Sequence, residues 1–184
     1  ARKWLVELLK NNGITNREVL EAINLVPREK FVEEKLIYRS YENVPLPIGN
    51  GQAISQPHVV ALMTDRLIRR STARNTVLES GTGLGYQAAV LSKLYRKVCL
   101  VKKIKDLFVR AGKTLCRFTM DNGESRHGDG SEGRGEALNF DSIVITAATD
   151  NVPHRLLKQL SCGGVFDWCC RDGLQSVVAS YKEL

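Results

Sequence analysis

The chain reads as an α/β protein, an open and mostly parallel sheet covered by helices on both faces. Three observations predict this. From Thr76 onward, short apolar runs alternate with helical patterns, which implies βαβ units. A glycine-rich turn, Gly81–Gly85, joins one of those strands to the helix that follows. The 184 residues, 43% hydrophobic and 26% charged, are enough for one packed core and exclude a disordered or fibrous chain.

Taken in order, Trp4, Leu5, Leu8 and Leu9 recur at helical spacing until Asn12-Gly13 ends the pattern. Val19, Leu20 and Ile23 predict a second short helix, capped by Thr15 or Asn16. Between 41 and 56, Pro45, Pro47, Gly49 and Gly51 preclude a regular helix, so YENVPLPIGNGQAIS is extended chain or loop. A helix then starts near Pro57, with Ser55 or Gln56 near its cap, and runs to about Arg70. Strands follow at 76–80, 97–102, 140–147 and 164–168, with a short one before Gly128 and a possible sixth at 174–181. Helices are expected at 86–94, 105–118 and 153–160. Right-handed crossovers make the outcome Rossmann-like. The chain divides into residues 1–56, a helical segment with a loop, and residues 57–184, one compact Rossmann-like unit.

The net charge of +7 suits a nucleic acid, an acidic substrate surface or no partner at all. The basic residues are scattered, which favours an ordinary solvated surface. Five cysteines without a CxxC pair argue against a disulfide scaffold or a zinc site, and no metal is expected. The apolar stripe in residues 1–11 is too short and too charged for a signal peptide or membrane span. A cytoplasmic monomer with reduced thiols is expected, with no membrane and no nucleic-acid partner.

Two segments carry chemistry. In VLESGTGLGY, residues 77–86, Gly81, Gly83 and Gly85 let a ligand approach the backbone between strand and helix. The spacing differs from the dinucleotide pattern and, with Glu79 before it, resembles motif I of Rossmann-type methyltransferases. The second segment, PLPIGNGQAISQP at 45–57, is by composition a surface loop. Its residues closely resemble the protein-L-isoaspartate O-methyltransferase family of bacterial type. The resemblance extends through VPREKFV, VALMTDRL, GYQAAVL, HGDG, FDSIVITAA and LLKQLSCGG, in order, over roughly residues 1–166.

That resemblance implies a class I methyltransferase fold. It also implies methyl transfer from S-adenosyl-L-methionine to the carboxylate of L-isoaspartyl residues in damaged proteins and peptides. Carried over motif by motif, Ser55 is the catalytic position, and Ile54 and Ser55 hold the peptide. Glu79, Gly81, Thr82, Gly83 and Gly85 hold the methionine part and ribose, and Asp129 and Gly130 the adenine. By itself, Ser55 also reads as a helix cap, and Gly128–Gly130 as a plain turn.

The chain departs from the family at Lys102, which stands where the ribose acid is expected and offers no acceptor. It would favour a 2′-phosphate, or cost a charge-assisted hydrogen bond of about 1.5–3 kcal/mol. Ser80 and Leu84 are smaller departures. After Gly164 the chain reads VFDWCCRDG, and the family's closing strand has no counterpart, which predicts an unpaired sheet edge. The rival reading is a non-catalytic or weakly active homologue with impaired cofactor binding. A nucleic-acid methyltransferase would need an amino-methylating N/D-P-P-Y-like motif, which the sequence lacks.

Overall fold

The computed structural model describes residues 1–135, 139–149, 153–170 and 177–181. The N-terminal layer is α1 (Arg2–Asn11) and α2 (Arg17–Leu25), followed by 3-10 turns at Arg28–Phe31 and Glu34–Arg39. Asn16 caps α2: its side chain accepts from the Glu18 and Val19 amides, satisfying two donors a helix start leaves open. Leu5 and Leu9 turn inward from α1, but Trp4, counted in the same apolar stripe, is exposed.

The predicted loop contains a small hairpin, β1 (Leu46–Gly49) and β2 (Gln52–Ile54), paired antiparallel. Asn50 and Gly51, both at positive φ, form its tip. Then come α3 (Pro57–Arg70), β3 (Thr76–Ser80), α4 (Tyr86–Leu91), β4 (Lys97–Lys102), α5 (Lys105–Arg117) and β5 (Gly123–His127). The chain continues with β6 (Phe140–Thr149), α6 (His154–Leu157), β7 (Leu160–Cys170) and β8 (Val177–Tyr181). Gln56 occupies the N-cap position of α3, not Ser55. Helices α4 and α6 are shorter than their patterns suggested, and β7 is longer.

The main sheet has the order β5-β4-β3-β6-β7-β8, parallel from β5 to β7. Strand β8 runs antiparallel to β7 from Cys169↔Val177 to Val165↔Tyr181. The expected bare edge beside β7 is therefore covered, a correction the local sequence could not supply because strand direction is set by tertiary pairing. Residues 174–176 of the possible sixth strand lie outside the described residues.

Alternation along the strands divides the interior in two. Val77, Leu100, Val144 and Val165 face Leu9, Ile23, Val60 and Leu67 of the first three helices. Leu78, Cys99, Val101, Ile143 and Phe166 face the other way, onto Leu156 of α6. Both faces are thus covered, as parallel sheets require. No helix among the described residues is long and apolar enough to cross a membrane.

Candidate functional site

The chain leaves β3, β4 and β5 on one side of the sheet, then crosses to β6 on the other side of β3. In such sheets ligands bind beyond the strand C-termini at this switch point. Glu79 and Ser80 end β3 there, and Thr146 and Ala147 lie on β6 beside them. The glycine turn runs across the opening. Gly81 has φ +90°, and a Cβ built on it would lie 2.7 Å from Ala147 Cβ, so only glycine fits. Gly85, at φ +96°, occupies the N-cap of α4 and packs on Leu115.

Two clefts open on either side of Gly81. The first joins Ile54 and Ser55 of the hairpin segment to Glu79, Thr82, Gly83 and Thr146. The second is lined by Gly81, Val101, Lys103, Asp129, Gly130 and Pro153. The sequence-derived positions Ile54, Ser55, Glu79, Gly81, Thr82 and Gly83 are therefore brought together, with Asp129 and Gly130 just beyond Gly81. Gly85 lines neither cleft, and its part is to shape the turn.

Lys102 also lines neither. Its ammonium is buried and donates to the Gly83 carbonyl, and at 3.4 Å to the Leu107 carbonyl. Lysine 103, which sequence reasoning passed over, reaches the second cleft instead and pairs with Asp129 at 2.8 Å. That bond, with those from the Ser131 hydroxyl and amide, holds the Asp129 carboxyl well below the usual carboxylate range. Neighbouring lysines in the run VKKI cannot be told apart until the fold ends β4 at Lys102, which it buries, and leaves Lys103 exposed on the bend beyond.

Glu79 is fully buried. Its Oε1 accepts from the Thr146 hydroxyl at 3.4 Å, and its Oε2 has no hydrogen-bond partner. Burial pushes the Glu79 carboxyl up to about 8, the Lys102 charge pulls it back down, and Thr146 does the same to a lesser degree. Thr82 Oγ1 is likewise buried and unpartnered. Two oxygens turned away from water and left without partners mark an incomplete polar site.

The hairpin is pinned from both sides. Arg110 of α5 donates to the Ile48 carbonyl at 2.8 Å, and Asn50 donates to Asp106 at 2.9 Å. From below, Arg28 donates to the Ser55 carbonyl at 2.9 Å and the Val44 carbonyl at 3.3 Å, its guanidinium 5.0 Å over the Tyr86 ring. Arg28 is completely buried, and that burial lowers its pKa to about 10. Arginine is normally a surface residue, so nothing in REK by itself signals this position. Membership in the VPREKFV motif was the available clue. The two histidines in matching motifs have local roles: the His58 amide donates to Asn43 Oδ1 at 2.9 Å, and the His127 ring lies 3.1 Å from the Lys103 carbonyl.

Comparison with solved structures gives the class. A protein-L-isoaspartate O-methyltransferase superposes with a TM-score of 0.87 at 27% identity, over 100% of this chain and 60% of that one. A structure from Plasmodium falciparum, described as a putative protein-L-isoaspartate O-methyltransferase in complex with S-adenosyl-L-homocysteine, superposes equally well (0.87) at 24% identity. It is covered over 90% of its length, and this chain over 100%. Fold and clefts together define a Rossmann-like class I methyltransferase. The family model "Protein-L-isoaspartate(D-aspartate) O-methyltransferase" matches residues 1–179. The Pseudoalteromonas atlantica protein-L-isoaspartate O-methyltransferase is 45% identical over 160 residues, 87% of this chain and 76% of that relative. The chain belongs to the protein-L-isoaspartate O-methyltransferase family.

Proposed function

We propose that the protein transfers a methyl group from S-adenosyl-L-methionine to the carboxylate of L-isoaspartyl residues in damaged proteins and peptides. The observation that carries this reading is the shared cleft, with Ile54 and Ser55 on one wall and the glycine turn with Glu79 on the other. A peptide on the hairpin and a cofactor on the turn then meet in one place. The unpartnered oxygens of Glu79 and Thr82 fit the polar methionine end of such a cofactor, and the close approach of Gly81 to Ala147 fits a backbone cradle. Asp129 and Gly130, in the second cleft, fit the adenine end. Family membership supports the reading over that of an inactive homologue.

When bound, the cofactor supplies an activated methyl group on a sulfonium. The rest falls to this chain. An isoaspartyl carboxylate is ionised at pH 7, so the site needs no strong general base. It needs orientation and dryness. The Ser55 hydroxyl orients the carboxylate, and the backbone around Ile54 holds the peptide. Ile48, packed over Gly83, and the buried Leu84 and Tyr86 keep water from the turn. In this reading residues 1–56 form the substrate-facing layer and residues 57–184 the cofactor unit. The protein works as a cytoplasmic monomer on protein substrates, independent of membranes and nucleic acid.

The test is methyl incorporation from labelled S-adenosyl-L-methionine into an isoaspartyl peptide and its normal aspartyl twin. Base-labile label in the isoaspartyl peptide alone is expected. Absence of label from both, with the cofactor shown to bind, would remove the assignment. Ser55→Ala should lower kcat/KM by roughly ten- to a hundredfold, the scale of one hydrogen bond to a charged group, with S-adenosylhomocysteine affinity unchanged within about twofold.

A further inference from the structure

Four side chains that line the first cleft keep a buried polar atom without a hydrogen-bond partner: Glu79, Thr82, Tyr86 and Gln87. Glu79 and Thr82 are matched above to the methionine end of the cofactor. The Tyr86 ring is held in the N-terminal layer, with Arg28 over its face and the Phe31 ring 5.6 Å away. Gln87, the second residue of α4, is left over. It is only 4% exposed, and a buried amide oxygen without a donor carries a cost that no contact within the chain offsets. The amide is anchored through its nitrogen. Gln87 Nε2 donates to Thr64 Oγ1 at 2.8 Å, and that hydroxyl donates in turn to the Val60 carbonyl at 2.7 Å. A hydroxyl has one hydrogen to give, so Thr64 meets Gln87 as an acceptor and fixes which way the amide faces. Oε1 is the free end. Val60 and Thr64 stand one turn apart on α3, the helix that begins just past Ser55, and Val60 itself lines the cleft. This relay ties Gln87 to the peptide wall.

We propose that Gln87 Oε1 accepts the backbone N–H of the isoaspartyl residue itself, which makes Gln87 a specificity-determining residue alongside Ser55. The role rests on the methyltransferase reading of the cleft given above. A carboxamide oxygen attracts a donor and repels a carboxylate, so it complements the nitrogen end of the residue while Ser55 takes the carboxylate. In an isoaspartyl residue the free carboxylate and the N–H stand on the same carbon. In a normal aspartyl residue a methylene separates them, so one fixed pair of contacts cannot serve both. The mismatched residue leaves Oε1 buried and unpaired, the kind of penalty by which a polar site rejects a close analogue.

The probes are an isoaspartyl peptide and its ester-linked twin, in which an oxygen replaces the isoaspartyl nitrogen and removes the donor without adding bulk. The wild type is expected to methylate the amide form with kcat/KM about tenfold higher. Equal kcat/KM for the two would overturn the contact, and this comparison needs no variant. Gln87→Met and Gln87→Leu should each cost the amide peptide about tenfold and bring the two peptides within about twofold, with S-adenosylhomocysteine affinity unchanged within about twofold. Either truncation leaves the bond from Thr64 to the Val60 carbonyl in place, and two side chains of different shape guard against a folding defect in one. Parallel losses on both peptides would make Gln87 a packing residue. A tenfold loss of S-adenosylhomocysteine affinity would give Oε1 to the cofactor's ammonium. Either result overturns the proposal and leaves the methyltransferase reading intact. Label in neither peptide, with the cofactor shown to bind, would remove that reading and the role of Gln87 together.

Discussion

At Gly81 the backbone sits at φ +90° with Ala147 filling the space a Cβ would need. Gly81→Ala therefore meets both a disfavoured backbone region and a steric clash, and should lose about 2–4 kcal/mol of stability. Urea unfolding reads this, and a loss below about 1 kcal/mol would mean that the turn relaxes freely. The glycines were legible in the sequence because few residue types can hold such a conformation next to a strand end. Arg28 and Lys102 were legible only as letters. One was expected on the surface and the other at the ribose, yet both charges are buried against backbone carbonyls. Their destinations depend on chain segments between roughly five and thirty residues away, which no local pattern encodes.

The hairpin is the element least visible beforehand, since its prolines and glycines suppress both helical and strand patterns while still allowing a two-strand ribbon. Arg28 supports its far end at Ser55 and Val44. Arg28→Met strands two carbonyls and should lower stability by about 2–4 kcal/mol. It should also raise KM for an isoaspartyl peptide several-fold more than it changes S-adenosylhomocysteine affinity. A proportionate loss in both would place Arg28 in general packing alone. Strand β7 carries a second anomaly. Asp167 is fully buried in register with Val144, and burial pushes its pKa up to about 7 against the pull of Arg66, Arg70 and the Trp168 backbone amide. With the folded pKa above the unfolded value of 3.8, the native state binds the proton more tightly. Stability therefore falls as pH rises from about 4 through about 7, then levels off. Asp167→Val should gain roughly 1–3 kcal/mol at pH 8 and lose most of that advantage near pH 4. Thermal unfolding at the two pH values checks it, and an equal gain at both would exonerate the carboxylate.

For the whole molecule, the alternation of strands and helices was enough to anticipate the parallel sheet and its switch point. The antiparallel docking of β8 on β7 was not, because it answers the need to cover an edge and not a local preference. A ligand bound only by the folded state should stabilise all of it. S-Adenosylhomocysteine at about a hundred times its Kd should add about 2.7 kcal/mol, or roughly 5–10 °C in Tm for a chain of this size. No shift at millimolar ligand would contradict a cofactor cleft. The pairing of β3 with β6 has a further consequence during synthesis. Val77 finds Ser142 as its partner, so the central strand waits for some sixty more residues before its second edge is closed. Until then a ribosome-bound chain shows an open, apolar strand edge to its surroundings, the kind of surface that recruits chaperones and seeds aggregation. Recovery of native protein should therefore depend on translation speed and chaperone supply more steeply than equilibrium stability alone would suggest.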